Sequence, residues 1–261
     1  MKLLTLARDL KRRKARERHA LFVAEGVRAV EALLDSGHPV RGALVTTPRA
    51  GEEADPTASR RAALLDRLAA AGVPVHEVTD TEFASAADTE SPQGVLAIGS
   101  IPHWTPEDRP PVTTVLVLDA VQDPGNVGTI VRTAAALGVD VTIALPGTVD
   151  VWNAKVVRSA MGALFTHPVM PLSWEDATRW LTDREVALWV ADTAGTSLAE
   201  AATARPPRLA LVVANEGAGV SPHVAAAAHR QVAIPMRAGV ESLNVAVATG
   251  ILLYTLTSRP S

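Results

Sequence analysis

Short unbroken runs of branched aliphatic residues, each followed by a glycine- and asparagine-rich loop, constrain this chain more than any other feature. Val115-Leu116-Val117-Leu118 and Leu209-Ala210-Leu211-Val212-Val213-Ala214 are apolar without alternation. Runs of that kind belong to strands covered on both faces. Further strands are predicted at 139–145, 186–191 and 231–234, with helical patterns between them, the first over 127–137 and stopped by Gly138. Strands alternating with helices predict an α/β fold with a mostly parallel sheet.

The residues before this region form a second, smaller α/β pattern. A basic helix is expected over 3–18, a helix over 27–34 with Gly37 as its stop, and another over 59–71. Strands are expected at 42–46, 73–78 and 94–98. Pro102, Pro106, Pro110 and Pro111 punctuate a mixed-charge stretch that reads as a linker. The expected organisation is an N-terminal domain over 1–101, a linker over 102–112 and a C-terminal domain over 113–261.

Composition excludes several chemistries. The 261 residues contain no cysteine, which removes disulfides, thiolate metal sites and a cysteine nucleophile, and fits a cytoplasmic location. The seven histidines form no HxH or HExxH pair, so no metal is expected. No apolar run approaches the roughly 18 residues of a membrane span, and no membrane association is expected. Net charge is −3, yet residues 1–18 hold eight basic against two acidic side chains, so the remainder is strongly acidic. Arg8, Lys11, Arg12 and Arg13 in that segment are candidates for contacting a polyanion such as RNA; a solvated helix face is the alternative.

Three loops follow three predicted strands: Asp123-Pro124-Gly125-Asn126-Val127-Gly128, Asn215-Glu216-Gly217-Ala218-Gly219, and Arg237-Ala238-Gly239-Val240-Glu241-Ser242-Leu243-Asn244. In open α/β sheets ligands bind beyond the carboxyl ends of the strands, so three such loops can build one site. There is no GxGxxG and no GKS or GKT, which disfavours a dinucleotide oxidoreductase and a P-loop NTPase. Ser242 is the expected N-cap of a last helix that is apolar nearly all round and therefore central or buried against another subunit.

These loops resemble the signature of the SpoU (TrmH-type) RNA 2′-O-ribose methyltransferases of the SPOUT superfamily. The first loop continues into Val131-Arg132-Thr133-Ala134, the second into Val220-Ser221, and the third is preceded by Ile234-Pro235-Met236 and followed by Val245-Ala246-Val247-Ala248. Phe22-Val23-Ala24-Glu25-Gly26-Val27-Arg28 and Ser91-Pro92-Gln93-Gly94-Val95-Leu96-Ala97 resemble the L30e-like substrate-binding domain of the ribosomal-RNA members. The resemblance implies a deep trefoil knot, an exception to unthreaded chains, a homodimer, and S-adenosyl-L-methionine as cofactor. It implies cofactor binding by Ala214, Asn215, Gly217, Ile234, Met236 and Leu243, and places Asn126, Arg132, Glu216, Ser242 and Asn244 at the reacting centre. Ala214 stands where the family often has glycine, and Asp123 where it often has asparagine. Arg132, whose guanidinium stays protonated, suits a phosphate clamp and a stabiliser of the developing alkoxide. Ribosomal RNA is the expected substrate. Transfer RNA, or a catalytically silent RNA-binding or assembly homologue, are the other readings.

Overall fold

The computed structural model describes residues 2–47, 56–105, 112–215, 217, 219–237, 239 and 242–257. Most of the proline-rich stretch, residues 106–111, lies outside them. The chain divides into two compact units. One comprises Met1–His103 with Asp150–Thr166, the other Trp104–Val149 with His167–Ser261.

The first unit begins with two helices, α1 (Leu3–Asp9) and α2 (Arg13–His19), where the sequence predicts one. Leu10 turns into the core and Arg12 is extended, with φ −90° and ψ 131°. The break is closed by Arg16, whose Nη1 donates to the carbonyls of Leu10 (2.7 Å) and Lys11 (2.9 Å). These are the acceptors that an interrupted helix leaves orphaned. There follow β1 (Leu21–Glu25), α3 (Val27–Asp35), β2 (Val40–Thr46), α4 (Pro56–Ala70), β3 (Val75–Val78), α5 (Asp80–Ala86) and β4 (Val95–Ser100). The sheet order is β1-β4-β2-β3, antiparallel except for the β2–β3 pair.

The second unit contains β5 (Thr114–Asp119), α6 (Pro124–Ala136) and β6 (Val141–Ala144). The chain then forms α7 (Ala154–Ser159), which belongs to the first unit, before returning as β7 (Val169–Pro171), α8 (Trp174–Asp183), β8 (Ala187–Ser197), α9 (Leu198–Thr203), β9 (Leu209–Ala214), α10 (Pro222–Ala227), β10 (Arg230–Ala233) and α11 (Val245–Thr257). Six strands lie in the order β10-β8-β9-β5-β6-β7, and every pair is parallel. This is the α/β architecture with a parallel sheet expected from the unbroken aliphatic runs. Every residue of β5 is buried, as are five of the six in β9.

Residues Asp150–Thr166 are held in the first unit by specific contacts. Arg16 donates to Asp150 through Nε (2.9 Å) and Nη2 (2.5 Å). Phe22 of β1 packs on Trp152 and Phe165, with ring centroids 4.7 and 5.3 Å apart. In the second unit His167 is buried, with its Nε2 2.8 Å from Thr142 Oγ1. Burial pushes its pKa down to about 4, only partly opposed by Asp140.

Candidate active site

The carboxyl ends of β8, β9 and β10 all point to one edge of the sheet because the strands are parallel, and a cavity of about 310 Å³ opens there. β8 contributes Ala191, Asp192 and Thr193, β9 and its end contribute Val213, Ala214 and Asn215, and β10 and its continuation contribute Val232, Ile234 and Met236. Ser242 and Leu243 close it together with Val245, Ala248 and Leu252 of α11. The cavity exists because β8 bows away from β10. Gln231 pairs with Val190, but the next residue, Val232, pairs with Thr196. The returning strand passes so close that a Cβ on Gly195 would lie 2.5 Å from the Val232 nitrogen. Only glycine permits that approach.

Of the residues expected to hold a cofactor, Ala214, Asn215, Ile234, Met236 and Leu243 share this one lining. Gly217 is outside it; its N–H donates to the Asn215 side chain (2.8 Å), forming a tight turn closed by Gly219 N–H on the Asn215 carbonyl (2.9 Å). The second loop is anchored by a residue the sequence reading missed. Asp119, the buried last residue of β5, accepts from Ser221 N–H (2.7 Å) and Ser221 Oγ–H (2.8 Å). Asp192 and Thr193 were missed as well, since they follow the strand expected over 186–191 without a motif to mark them.

The first loop starts α6. Asp123 is its N-cap, accepting from Asn126 N–H (2.8 Å), and Pro124 sits at the first helical position, where its missing N–H costs nothing. Asn126 then meets the third loop, as Asn244 Nδ2 donates to Asn126 Oδ1 (3.0 Å). Asn244 rather than Ser242 caps α11, since its Oδ1 accepts from Ala246 N–H (3.0 Å) and Val247 N–H (3.3 Å). The helix begins at Val245, three residues past Ser242, so the Ser242 hydroxyl is one turn too early to be the cap, and it lines the cavity instead. Asn244 is thus a cap through its oxygen and a bridge through its nitrogen.

Arg132 lies on α6, exposed, with no hydrogen-bond or ion-pair partner among the described residues, and it is not part of the cavity lining. Glu216 lies outside the described residues. In the first unit, Arg8 donates to Ser85 Oγ (2.7 Å), Arg12 pairs with Asp9, and Arg13 donates to Glu17 (2.7 Å), while Lys11 is exposed. Among the described residues no group of histidine and acidic side chains could hold a metal ion. None of their helices is long and apolar enough to cross a membrane.

Comparison with known proteins places the chain. Residues 113–254 match the SpoU rRNA Methylase family, and residues 5–97 match the MRM3-like substrate binding domain. The 23S rRNA (guanosine(2553)-2'-O)-methyltransferase RlmP of Bacillus subtilis is 35% identical over 189 residues, covering 71% of this chain and 73% of its own length. The crystal structure of an AdoMet-bound rRNA methyltransferase from Sinorhizobium meliloti superposes with a TM-score of 0.82 at 28% identity, covering 98% of this chain and 94% of that one. The SpoU methyltransferase AviRb from Streptomyces viridochromogenes, in complex with AdoMet, gives a TM-score of 0.82 at 25% identity and covers 98% of this chain and 97% of that one.

Proposed function

The chain belongs to the SpoU rRNA methylase family, and from that premise we propose that it transfers a methyl group from S-adenosyl-L-methionine to the 2′-hydroxyl of a ribose in ribosomal RNA. The observation that carries this reading is the convergence of Ala214, Asn215, Ile234, Met236, Ser242 and Leu243 on one cavity at the sheet edge. Its volume suits a small ligand. The lining fits this cofactor: Val213, Val232, Ile234 and Leu252 offer apolar walls for a planar base, while Asp192, Thr193 and Asn215 bring hydrogen-bonding side chains. When bound, the cofactor supplies an electrophilic methyl group on a sulfonium.

The chain's own residues align the acceptor. A ribose hydroxyl is a weak acid and gains nucleophilicity only as its proton leaves, so a nearby cation lowers the barrier. Arg132 has a guanidinium uncommitted among the described residues and takes that role, clamping a phosphate and stabilising the developing alkoxide while the hydroxyl proton passes to that phosphate or to water. The Asn126–Asn244 bridge holds the first and third loops in register, and Glu216 belongs with them in this reading. Arg8, Lys11, Arg12 and Arg13 contribute phosphate contacts. The protein works in the cytoplasm as a homodimer whose knotted C-terminal half seats the cofactor. Support for the dimer comes from α11, where Val247 (53% exposed), Ile251 (39%) and Tyr254 (66%) share one face at helical spacing. An apolar stripe of this kind marks an interface.

Calorimetric titration with S-adenosyl-L-methionine, paired with ribose-methylation mapping of ribosomal RNA from a strain lacking the gene, tests the proposal. Binding together with one lost 2′-O-methyl mark is expected. An empty titration, or an unchanged methylation map, contradicts it.

A further inference from the structure

The two N-terminal stretches that stand out in the sequence, 22–28 and 91–97, meet in the first unit. Gln93 Oε1 accepts from Val27 N–H (3.0 Å), and Gly26 N–H donates to the Val95 carbonyl (2.9 Å). Between them lies a hollow of about 510 Å³, walled also by Thr89 and Ser91 and closed by Arg158 and Met161 from the α7 segment. Three arginines line it. Arg60 is held by two-pronged pairing with Glu31 (2.5–2.9 Å), and Arg158 stands 3.5 Å from Asp88. Arg28 is exposed and has no hydrogen-bond or ion-pair partner among the described residues. The acid in the wall, Glu25, is buried and already accepts from Asp88 N–H (2.7 Å) and the Thr89 hydroxyl.

We propose that this hollow is a docking site for one unstacked nucleotide of the substrate RNA, its phosphate on Arg28 and Arg158 and its base against Met161. The proposal rests on the methyltransferase reading above. The chemistry of the walls fits the parts of a nucleotide. Guanidinium forks match phosphate oxygens, and their planes also stack on bases. Met161 is 45% exposed at a positive φ of 50°, an apolar side chain held outward at a strained position. Because Gln93 Oε1 is taken by Val27 N–H, its NH₂ group remains as a donor for a base edge. The volume admits a single nucleotide and no duplex, and sequence-specific RNA recognition targets bases splayed out of loops.

The test uses the full chain and hairpins transcribed from 23S ribosomal RNA with thiouridine in their loops. Affinity and its salt dependence are measured for the wild type, Arg28→Ala, Arg28→Lys and Arg28→Ala/Arg158→Ala, with S-adenosyl-L-methionine calorimetry on each. The double variant is expected to lose at least about tenfold in RNA affinity and to flatten the salt slope by about 0.7, the share of one single-strand phosphate. Arg28→Lys should recover part of the loss, photocrosslinks should map near Met161, and cofactor affinity should stay unchanged. RNA binding that is unaffected in the double variant overturns the site and leaves the methyltransferase reading standing. A wild type that binds the cofactor but none of the hairpins overturns both.

Discussion

Replacing Asn244 separates its two roles, because cap and bridge use different atoms of one amide. Asn244→Ala removes the acceptor for the first free N–H groups of α11 and also the donor to Asn126. Loss of an N-cap costs about 0.5–2 kcal/mol, and loss of a hydrogen bond about 0.5–1.5 kcal/mol, so the variant should be destabilised by about 1–3.5 kcal/mol. Asn126→Ala removes the bridge alone and should cost about 1 kcal/mol. Asn244→Asp keeps the capping oxygen, and the Asn126 amide can turn its NH₂ toward the new carboxylate, so that variant should stay within about 0.5 kcal/mol of wild type. Urea denaturation of the three variants and the Asn126→Ala/Asn244→Ala double variant closes a thermodynamic cycle. Cofactor affinity should fall most for Asn244→Ala, since Ser242, Leu243 and Val245 beside it line the cavity. An Asn244→Ala protein no less stable than Asn126→Ala would refute the capping assignment.

Arg132→Ala is expected to abolish methyl transfer while leaving S-adenosyl-L-methionine affinity within a few fold; near-normal turnover in single-turnover kinetics removes Arg132 from the mechanism. Gly195→Ala should destabilise the protein by about 2–3 kcal/mol and weaken cofactor binding, because its Cβ meets the Gln231–Val232 backbone; a thermal melt unchanged from wild type contradicts the close approach. His167 has its pKa lowered in the folded state, so the unfolded chain binds more protons between about pH 6.5 and about pH 4. Stability from this group is therefore intact above pH 6.5 and declines by on the order of 3 kcal/mol as the pH falls through that window. A His167→Gln variant should have a correspondingly shallower pH dependence of unfolding, and identical slopes would contradict the assignment.

The parallel sheet was legible because burial on both faces leaves an unmistakable local trace, as at β5 and β9. Each of the three loops alone reads as an ordinary turn; it was their recurrence after three buried strands that pointed to one site. What escaped depends on contacts remote in sequence. The break at Leu10 depends on Arg16 folding back over the freed carbonyls, and a run of basic residues carries no sign of that. The capping residue of α11 was misplaced because Ser242 and Asn244 are both good caps, and only the start of the helix decides between them. Asp192 and Thr193 reach the cavity through a register jump set by a neighbouring strand. The packing of 150–166 in the first unit rests on Phe22 and Arg16, more than a hundred residues away.

Methyl transfer to a ribose oxygen is tested by incubating the protein with ribosomal RNA from the strain lacking the gene and methyl-labelled S-adenosyl-L-methionine, followed by alkaline hydrolysis. A 2′-O-methyl group blocks cleavage at its own phosphodiester, so the label is expected in a single alkali-resistant dinucleotide. Label recovered in mononucleotides carrying a methylated base, or no label in the RNA at all, would contradict it.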